Sequence, residues 1–418
     1  MTTTTAKTMT VTAANGRVAK IWVRHPELVE EQALKQVQSM LETPGLFEHI
    51  AVMPDVHWGM GATVGAVMAL NDAVIPNCVG VDIGCGMAAY PLGLSFAGET
   101  ATRKFWQGWL KRVMDVIPVG FTCHGALPAK LDELKRVSLA ERGAQARSDS
   151  LRCGRLIAPA SKFKSLGEMV LRQTGTLGGG NHFLEIQRDE AGMLWLMVHS
   201  GSRNVGLKIA NHYAGLAKRI NARLGQSAPI DLHWLPLSTA EGQGYLSDMQ
   251  WAVDYALLNR KQMLRAALGV LSLPFDEARM INIPHNYAAV EEHFGRMVVV
   301  HRKGATSARV DELGIVPGSM GAASYIVSGL GNPDAYSSCS HGAGRSMGRR
   351  QAKRTLSGSD FAQAVSHTFS NPNESYIDEA PQAYKNIDLV LSAQDELVSV
   401  VHRLEPVITL KSGEESVD

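Results

Sequence analysis

Apolar residues along this chain gather in short runs that are repeatedly broken by glycine, a pattern of short strands and tight turns. Alternating or continuous apolar stretches predict strands over 17–23, 49–53, 62–70, 182–187, 194–199, 297–302 and 324–328. Helical spacing predicts an amphipathic helix over 26–41, a helix over 205–224, and a longer one over 246–268 that ends before Pro274. The C-terminal part reads as helical from 345 to about 368 and again from 380 to 404. Between 97 and 170 the pattern changes to a more charged and mostly helical one. The expected fold class is therefore α+β: one large mixed domain over 1–418, with Gly-rich turns and peripheral helices around a central cleft.

The 40 glycines sharpen this picture more than the charge does. They cluster at 59–65, 80–86, 175–180, 201–206, 314–321, 329–331 and 342–348, each beside an apolar run, where backbone can approach a ligand closely. With 418 residues and 45% hydrophobic content the chain can bury a large core. A formal net charge of +1 leaves any anionic partner to a local patch. The segment 103–155 is one candidate, with eleven Lys or Arg against five Asp or Glu, although such a run is usually a solvated face. Five cysteines without a CxxC pair fit a reducing compartment better than a disulfide framework. No apolar run approaches a membrane span and the first 16 residues lack a signal pattern, so a soluble cytoplasmic protein is expected. No long heptad run calls for an oligomer, and a monomer is expected.

Candidate chemistry begins at Asp82-Ile83-Gly84-Cys85-Gly86, which puts a carboxylate and a thiol on one tight turn. Mixed with imidazole, these ligands suit a borderline divalent metal. Taken alone, the segment is equally well explained by a buried Cys and a turn-forming Asp. Histidines recur downstream beside glycines or turn residues: His182, His199, His285 and His341. Each follows or ends an expected strand, where a rigid support can aim a side chain into a cleft. As a set with Asp82 and Cys85 they describe a two-metal or metal-plus-nucleophile centre. The segment His341-Gly342-Ala343-Gly344-Arg345 places an imidazole at the mouth of a Gly turn with an Arg four residues on, so His341 is a candidate phosphorus nucleophile as well as a candidate ligand. The short loop Pro317-Gly318-Ser319-Met320-Gly321 offers backbone N–H groups to an anion or a purine edge, or is a plain turn.

These residues, read in order, resemble a known family. The stretches 53–57 (MPDVH), 79–87 (VGVDIGCGM), 175–185 (GTLGGGNHFLE), 199–206 (HSGSRNVG), 302–305 (RKGA), 317–325 (PGSMGAASY) and 340–345 (SHGAGR) look like the RtcB family of RNA-splicing ligases. The resemblance spans nearly the whole chain and is weakest over 97–170. It implies a GTP- and manganese-dependent ligase that joins an RNA 3′-phosphate or 2′,3′-cyclic phosphate end to a 5′-hydroxyl end, in tRNA splicing or RNA repair. The route it implies passes through a histidine–GMP adduct and an RNA 3′-ppG intermediate. By motif, Asp82, Cys85 and His182 would hold one manganese, and Cys85, His199 and His285 a second. His341 would be guanylylated. Asn181, His182, Phe183, Leu184, Glu185, His285, Asn286, Pro317, Gly318, Ser319, Met320, Ser324, His341, Gly342, Ala343, Gly344, Arg345 and Lys411 would surround the guanylate, and Arg203 would meet RNA phosphate. An archease-like activator is a further implied partner. Pro284 and Met60 depart from the family pattern; neither removes an implied ligand, and both leave room for a narrower RNA preference. The alternative activity is a metal-dependent phosphoesterase or cyclic phosphodiesterase acting on RNA ends without nucleotide.

Overall fold

Two seven-stranded sheets organise the chain. The computed structural model describes residues 2–4, 8–125, 166–229 and 231–413, so most of the basic segment 103–155 lies outside the described residues. The first sheet runs in the order Thr2–Thr4, Thr8–Thr12, Val18–Trp22, Leu46–His57, Val64–Leu70, Arg296–Lys303, Asn286–His293. Within it only the Val18–Trp22 and Leu46–His57 strands pair in parallel. The second sheet is antiparallel throughout, in the order Ile281–Pro284, Gly86–Ser95, Met193–Ser200, Phe183–Arg188, Val398–Leu410, Ser324–Gly329, Leu313–Val316.

Apolar packing follows the alternation read from the chain. The first sheet buries Ile50, Val52 and Met68 on one face, against Val37 and Met40 of the helix Glu31–Met40. Its other face buries Ala51, Met53 and Val67 against Val316, Tyr325 and Val327 of the second sheet. The second sheet places Leu184, Ile186, Leu196 and Val198 against Trp106 and Trp109 of the helix Arg103–Val116, and against Met263 and Leu264 of the helix Ala240–Val270. That 31-residue helix is buried along much of its length, which makes it a spine beneath the strand ends described below. No helix among the described residues is long and apolar enough to cross a membrane.

The C-terminal expectation is overturned. In place of a helix over 380–404 the chain forms a short helix, Ile387–Ser392, and then the 13-residue strand Val398–Leu410. The reason is local composition and tertiary pairing. The strand is rich in Val, Ile and Leu, has partners on both sides, and absorbs Pro406 at a register shift between Pro406 and Ile408. The helix expected over 345–368 is two short ones, Arg349–Thr355 and Gly358–Ala364, separated where Ser357 caps the second by accepting from Asp360 N.

Candidate active site

Four adjacent strands of the second sheet bring the donor residues into one row. Pro284 pairs with Gly86 and Gly86 with Ser200, while Met87 pairs with His199 and His199 with Phe183. Cys85, His182 and His285 each sit one residue beyond a strand end in that register. His285 is also the crossover residue, because Ile281–Pro284 belongs to the second sheet and Asn286–His293 to the first. Its amide donates to Cys85 O at 2.7 Å, which locks the two turns together. Gly86 is required there: a Cβ would lie 2.1 Å from Ile283 O. Gly201 serves the same purpose beside the carboxylate, since a Cβ would lie 2.1 Å from Asp82 Oδ1.

The resulting geometry is two donor groups sharing one sulfur: Asp82, Cys85 and His182, and Cys85, His199 and His285. Cys85 Sγ lies 3.5 Å from His182 Nε2 and 3.3 Å from His199 Nε2. His199 Nε2 lies 3.4 Å from His285 Nε2. His199 Nδ1 donates to Asn181 O at 3.2 Å and His182 Nδ1 to Leu177 O at 2.9 Å, which fixes both tautomers with the Nε2 lone pair turned inward. Burial, and then the positive charge of neighbouring histidines, hold His199 and His285 well below the ordinary imidazole range, so both are neutral ligand-type rings. No partner holds the His285 tautomer, so the 3.4 Å between the two Nε2 atoms serves equally for a hydrogen bond from His285 to His199 and for two nitrogens bound at about 2.1 Å to one ion. His182 Nε2 lies 3.1 Å from Asp82 Oδ2, close enough for both to bind one cation. Burial alone would raise the Asp82 carboxyl, but the hydrogen bond and charge of His182 carry it below the usual range. The donor set therefore fits metal ions of the borderline class.

Beneath this row the long helix supplies two residues that the sequence reading missed. Arg260, fully buried, donates to Ser200 O at 2.7 Å, Gly84 O at 2.9 Å and Asn282 Oδ1 at 2.7 Å. Burial pushes its guanidinium down to about 10. Asn259 accepts from Gly175 N and Thr176 N, and donates to Thr176 O, Ser200 Oγ and Gly201 O. Together they staple the turns that carry the donors. The available signal was an Asn-Arg pair on an otherwise apolar helical face, between Tyr255, Ala256, Met263 and Leu264.

His341 follows the strand Ser338–Ser340, its ring centroid 4.8 Å from that of His285. Its Nδ1 donates to Asp55 Oδ2 at 2.7 Å and its backbone N to the same oxygen at 3.1 Å. Asp55 is fully buried, and its Oδ1 has no hydrogen-bond partner among the described residues. With Nδ1 tied to Asp55, Nε2 is the nitrogen left with a lone pair. The motif reading included Asp55 without assigning it a role.

His341, Cys85, His199 and His285 line a cavity of about 900 Å³, as do Asn181, Phe183, Glu185, Asn286, Ser324, Lys411, 317–320 and 342–345. Leu184, expected beside the guanylate, instead packs into the apolar core, because strand alternation turns it away while Phe183 and Glu185 face the cavity. His182 is turned beneath the cavity toward Asp82. Arg203, at the start of the helix Arg203–Arg223, donates to Gly120 O at 2.9 Å and Thr176 Oγ1 at 3.2 Å, outside the cavity lining.

One flank of the cavity is a polar network. Glu185 accepts from Thr409 and Gln187, and Gln187 donates to Ser324 Oγ at 2.9 Å. Burial raises the Glu185 carboxyl to about 7. Beside it Glu379 takes Lys411 at 2.7 Å, Arg349 at 2.8 Å and Arg345 at 3.1 Å. Burial would raise the Glu379 carboxyl, but these cations, Lys411 foremost, hold it far below its usual range.

The sequence itself is similar to those of known proteins. A family model described as tRNA-splicing ligase RtcB matches residues 36–412. The chain is 38% identical over 407 residues to the RNA-splicing ligase RtcB of Escherichia coli K12, covering 94% of this chain and 97% of that one. It is 32% identical over 440 residues to the RNA-splicing ligase RtcB of Mycobacterium tuberculosis, covering 90% of this chain and all of that one.

Proposed function

Because the chain belongs to the RtcB family of RNA-splicing ligases and is an RNA ligase, we propose that its cavity joins an RNA 3′-phosphate to a 5′-hydroxyl by way of a guanylylated His341. The observation that carries this reading is the Asp55–His341 pair at 2.7 Å beside two donor groups that share Cys85. Residues from 55 to 411 contribute to the cavity lining or its supports, which favours one catalytic domain over the whole chain.

His341 Nε2 attacks the α-phosphorus of GTP, forming a P–N bond as the P–O bond to pyrophosphate breaks. Asp55 keeps the Nδ1 proton in place and offsets the positive charge that develops on the ring. An oxygen of the RNA 3′-phosphate then displaces His341 from phosphorus, giving the RNA 3′-ppG end and a neutral imidazole. Finally the 5′-hydroxyl oxygen bonds to the RNA 3′-phosphorus as the P–O bond to GMP breaks, and the hydroxyl proton passes to solvent. In this scheme Asp82, Cys85 and His182 hold one manganese, and Cys85, His199 and His285 the other. What the bound ions supply is neutralisation of charge on attacking and leaving oxygens. Glu185 offers an acceptor to the N–H edge of guanine, and the Lys411–Arg345–Arg349 group meets phosphate charge.

The test is covalent labelling. Purified protein with α-labelled GTP and Mn²⁺ should retain label after denaturation in an acid-labile, alkali-stable form, and His341→Ala should lose it. RNA joining or cleavage that proceeds without nucleotide would overturn the scheme.

A further inference from the structure

Of the seven tryptophans, six are at most 9% exposed; Trp58 is 55% exposed. Its neighbour Met60 is 56% exposed, and both line the cavity that holds His341. Large apolar side chains left open at the mouth of a working cavity are candidates for contact with a ligand.

The loop that presents them, between the strands Leu46–His57 and Val64–Leu70, is firmly held. Gln36 donates to Gly59 O and Gly61 O, each at 2.6 Å, and accepts from Gly59 N at 3.3 Å. The buried Lys303 ammonium donates to Met60 O and, at 3.3 Å, to Asn77 O. Trp58 itself has no hydrogen bond to its indole and no ring partner among the described residues. The loop is thus fixed while the indole face is unused, which keeps the ordering cost of a stack low.

This part of the lining differs in chemistry from the Glu185 and Glu379 groups. The Glu185 network and the Glu379 cations offer hydrogen bonds and charge, as a guanine edge and phosphates require. The Trp58 flank offers an indole face and a thioether, groups that take any nucleobase by its π-face without reading its edge. We propose that Trp58, with Met60 beside it, is the stacking platform for a nucleobase of the RNA strand next to the junction being sealed. The assignment rests on the RNA-joining reading of this cavity.

The experiment uses the full chain with Mn²⁺ and GTP, and short RNAs with a 3′-phosphate or a 5′-hydroxyl end. Trp58→Ala should raise the KM for RNA, or the Kd of a labelled 3′-phosphate RNA, by roughly 5- to 150-fold. Trp58→Phe should keep most of the affinity, and GTP labelling of His341 should be unchanged in both variants. A scan of single abasic nucleotides through the RNA should find one position that weakens the wild type about as much as Trp58→Ala does, with no further loss when the two are combined. RNA affinity unaffected by Trp58→Ala, or no sensitive position in the scan, would overturn the platform. Loss of GTP labelling in Trp58→Ala with RNA affinity intact would move the residue to the nucleotide site and overturn it as well. A wild-type protein without RNA affinity would overturn the functional reading together with the platform, an outcome distinct from a defect confined to Trp58→Ala.

Discussion

Two groups of histidines among the described residues differ in whether their neighbours complete them. Around Glu291 every group has its partner. The carboxylate accepts from Arg302 at 2.7 and 3.0 Å and from His293 at 3.0 Å, and Arg302 turns its remaining donors to Ser338 Oγ and Tyr336 O. Tyr336 donates to His49 O at 2.9 Å, and its ring stacks on His49 with centroids 5.0 Å apart. In the cavity, by contrast, His199 and His285 turn nitrogens toward each other at 3.4 Å, and His285 Nδ1 has no partner among the described residues. His49 is buried as deeply as His199, so burial alone does not mark a functional histidine. The difference lies in what the protein leaves unmatched: the first cluster closes on itself, and the second gathers a carboxylate, a thiol and neutral imidazoles around a ring nitrogen without a partner, a set that could hold a cation.

The largest expected effect comes from removing the shared sulfur. Cys85→Ala should reduce guanylylation and joining by about 10³-fold or more, since the scheme draws on this ligand for both ions. The metal-free protein should unfold at nearly the same temperature as the wild type, because the row of donors is not a self-satisfied network. Added Mn²⁺ should raise the melting temperature of the wild type and raise that of the variant much less. A variant that lost stability without metal as severely as activity would erase the contrast between the two clusters.

Asp55 stands between the two kinds of cluster, since one of its oxygens is paired with His341 and the other is not. Asp55→Asn should leave the fold intact and lower the rate of His341 guanylylation by about 10²- to 10⁴-fold, as expected when the charge that orients and stabilises an imidazole is removed. Rapid-quench labelling with GTP measures it. A wild-type rate would show that the short contact is architectural.

Much of this site was legible because its donors lie at the ends of alternating apolar runs beside glycines. The strands expected over 182–187 and 194–199 are Phe183–Arg188 and Met193–Ser200, and the helix expected over 205–224 is Arg203–Arg223. What stayed hidden depends on contacts remote in sequence. Asn259 and Arg260 reach the turns at Gly175 and Gly84, 84 and 176 residues away along the chain, and nothing local announces that reach. The strand Gly86–Ser95 carries Pro91 and Gly93, poor strand residues that its pairing accommodates through a register shift between Pro91 and Ser95. Glu291 was equally hidden, because a charged residue in an edge strand reads as solvent-facing until Arg302 on the neighbouring strand is seen to meet it.

The self-satisfied cluster has its own signature in acid. Burial would raise the Glu291 carboxyl, but the His293 hydrogen bond and the Arg302 charge bring it from about 4.5 down to about 2. A carboxyl depressed by folding stabilises the protein at every pH above its unfolded value, and that contribution is lost as pH falls from about 4.5 through about 2. A shift of this size amounts to about 3 kcal/mol. Urea unfolding of the metal-free protein between pH 6 and 3 should therefore show stability falling, and Glu291→Gln should start lower and fall less steeply over that range, since the amide has no proton to gain. Metal is left out because acid would also weaken Mn²⁺ binding at the proposed site and so mimic the effect. If Glu291→Gln kept the full acid slope, the pair with Arg302 would contribute little, and the closed cluster would owe its place to packing around Tyr336 instead of to its charges.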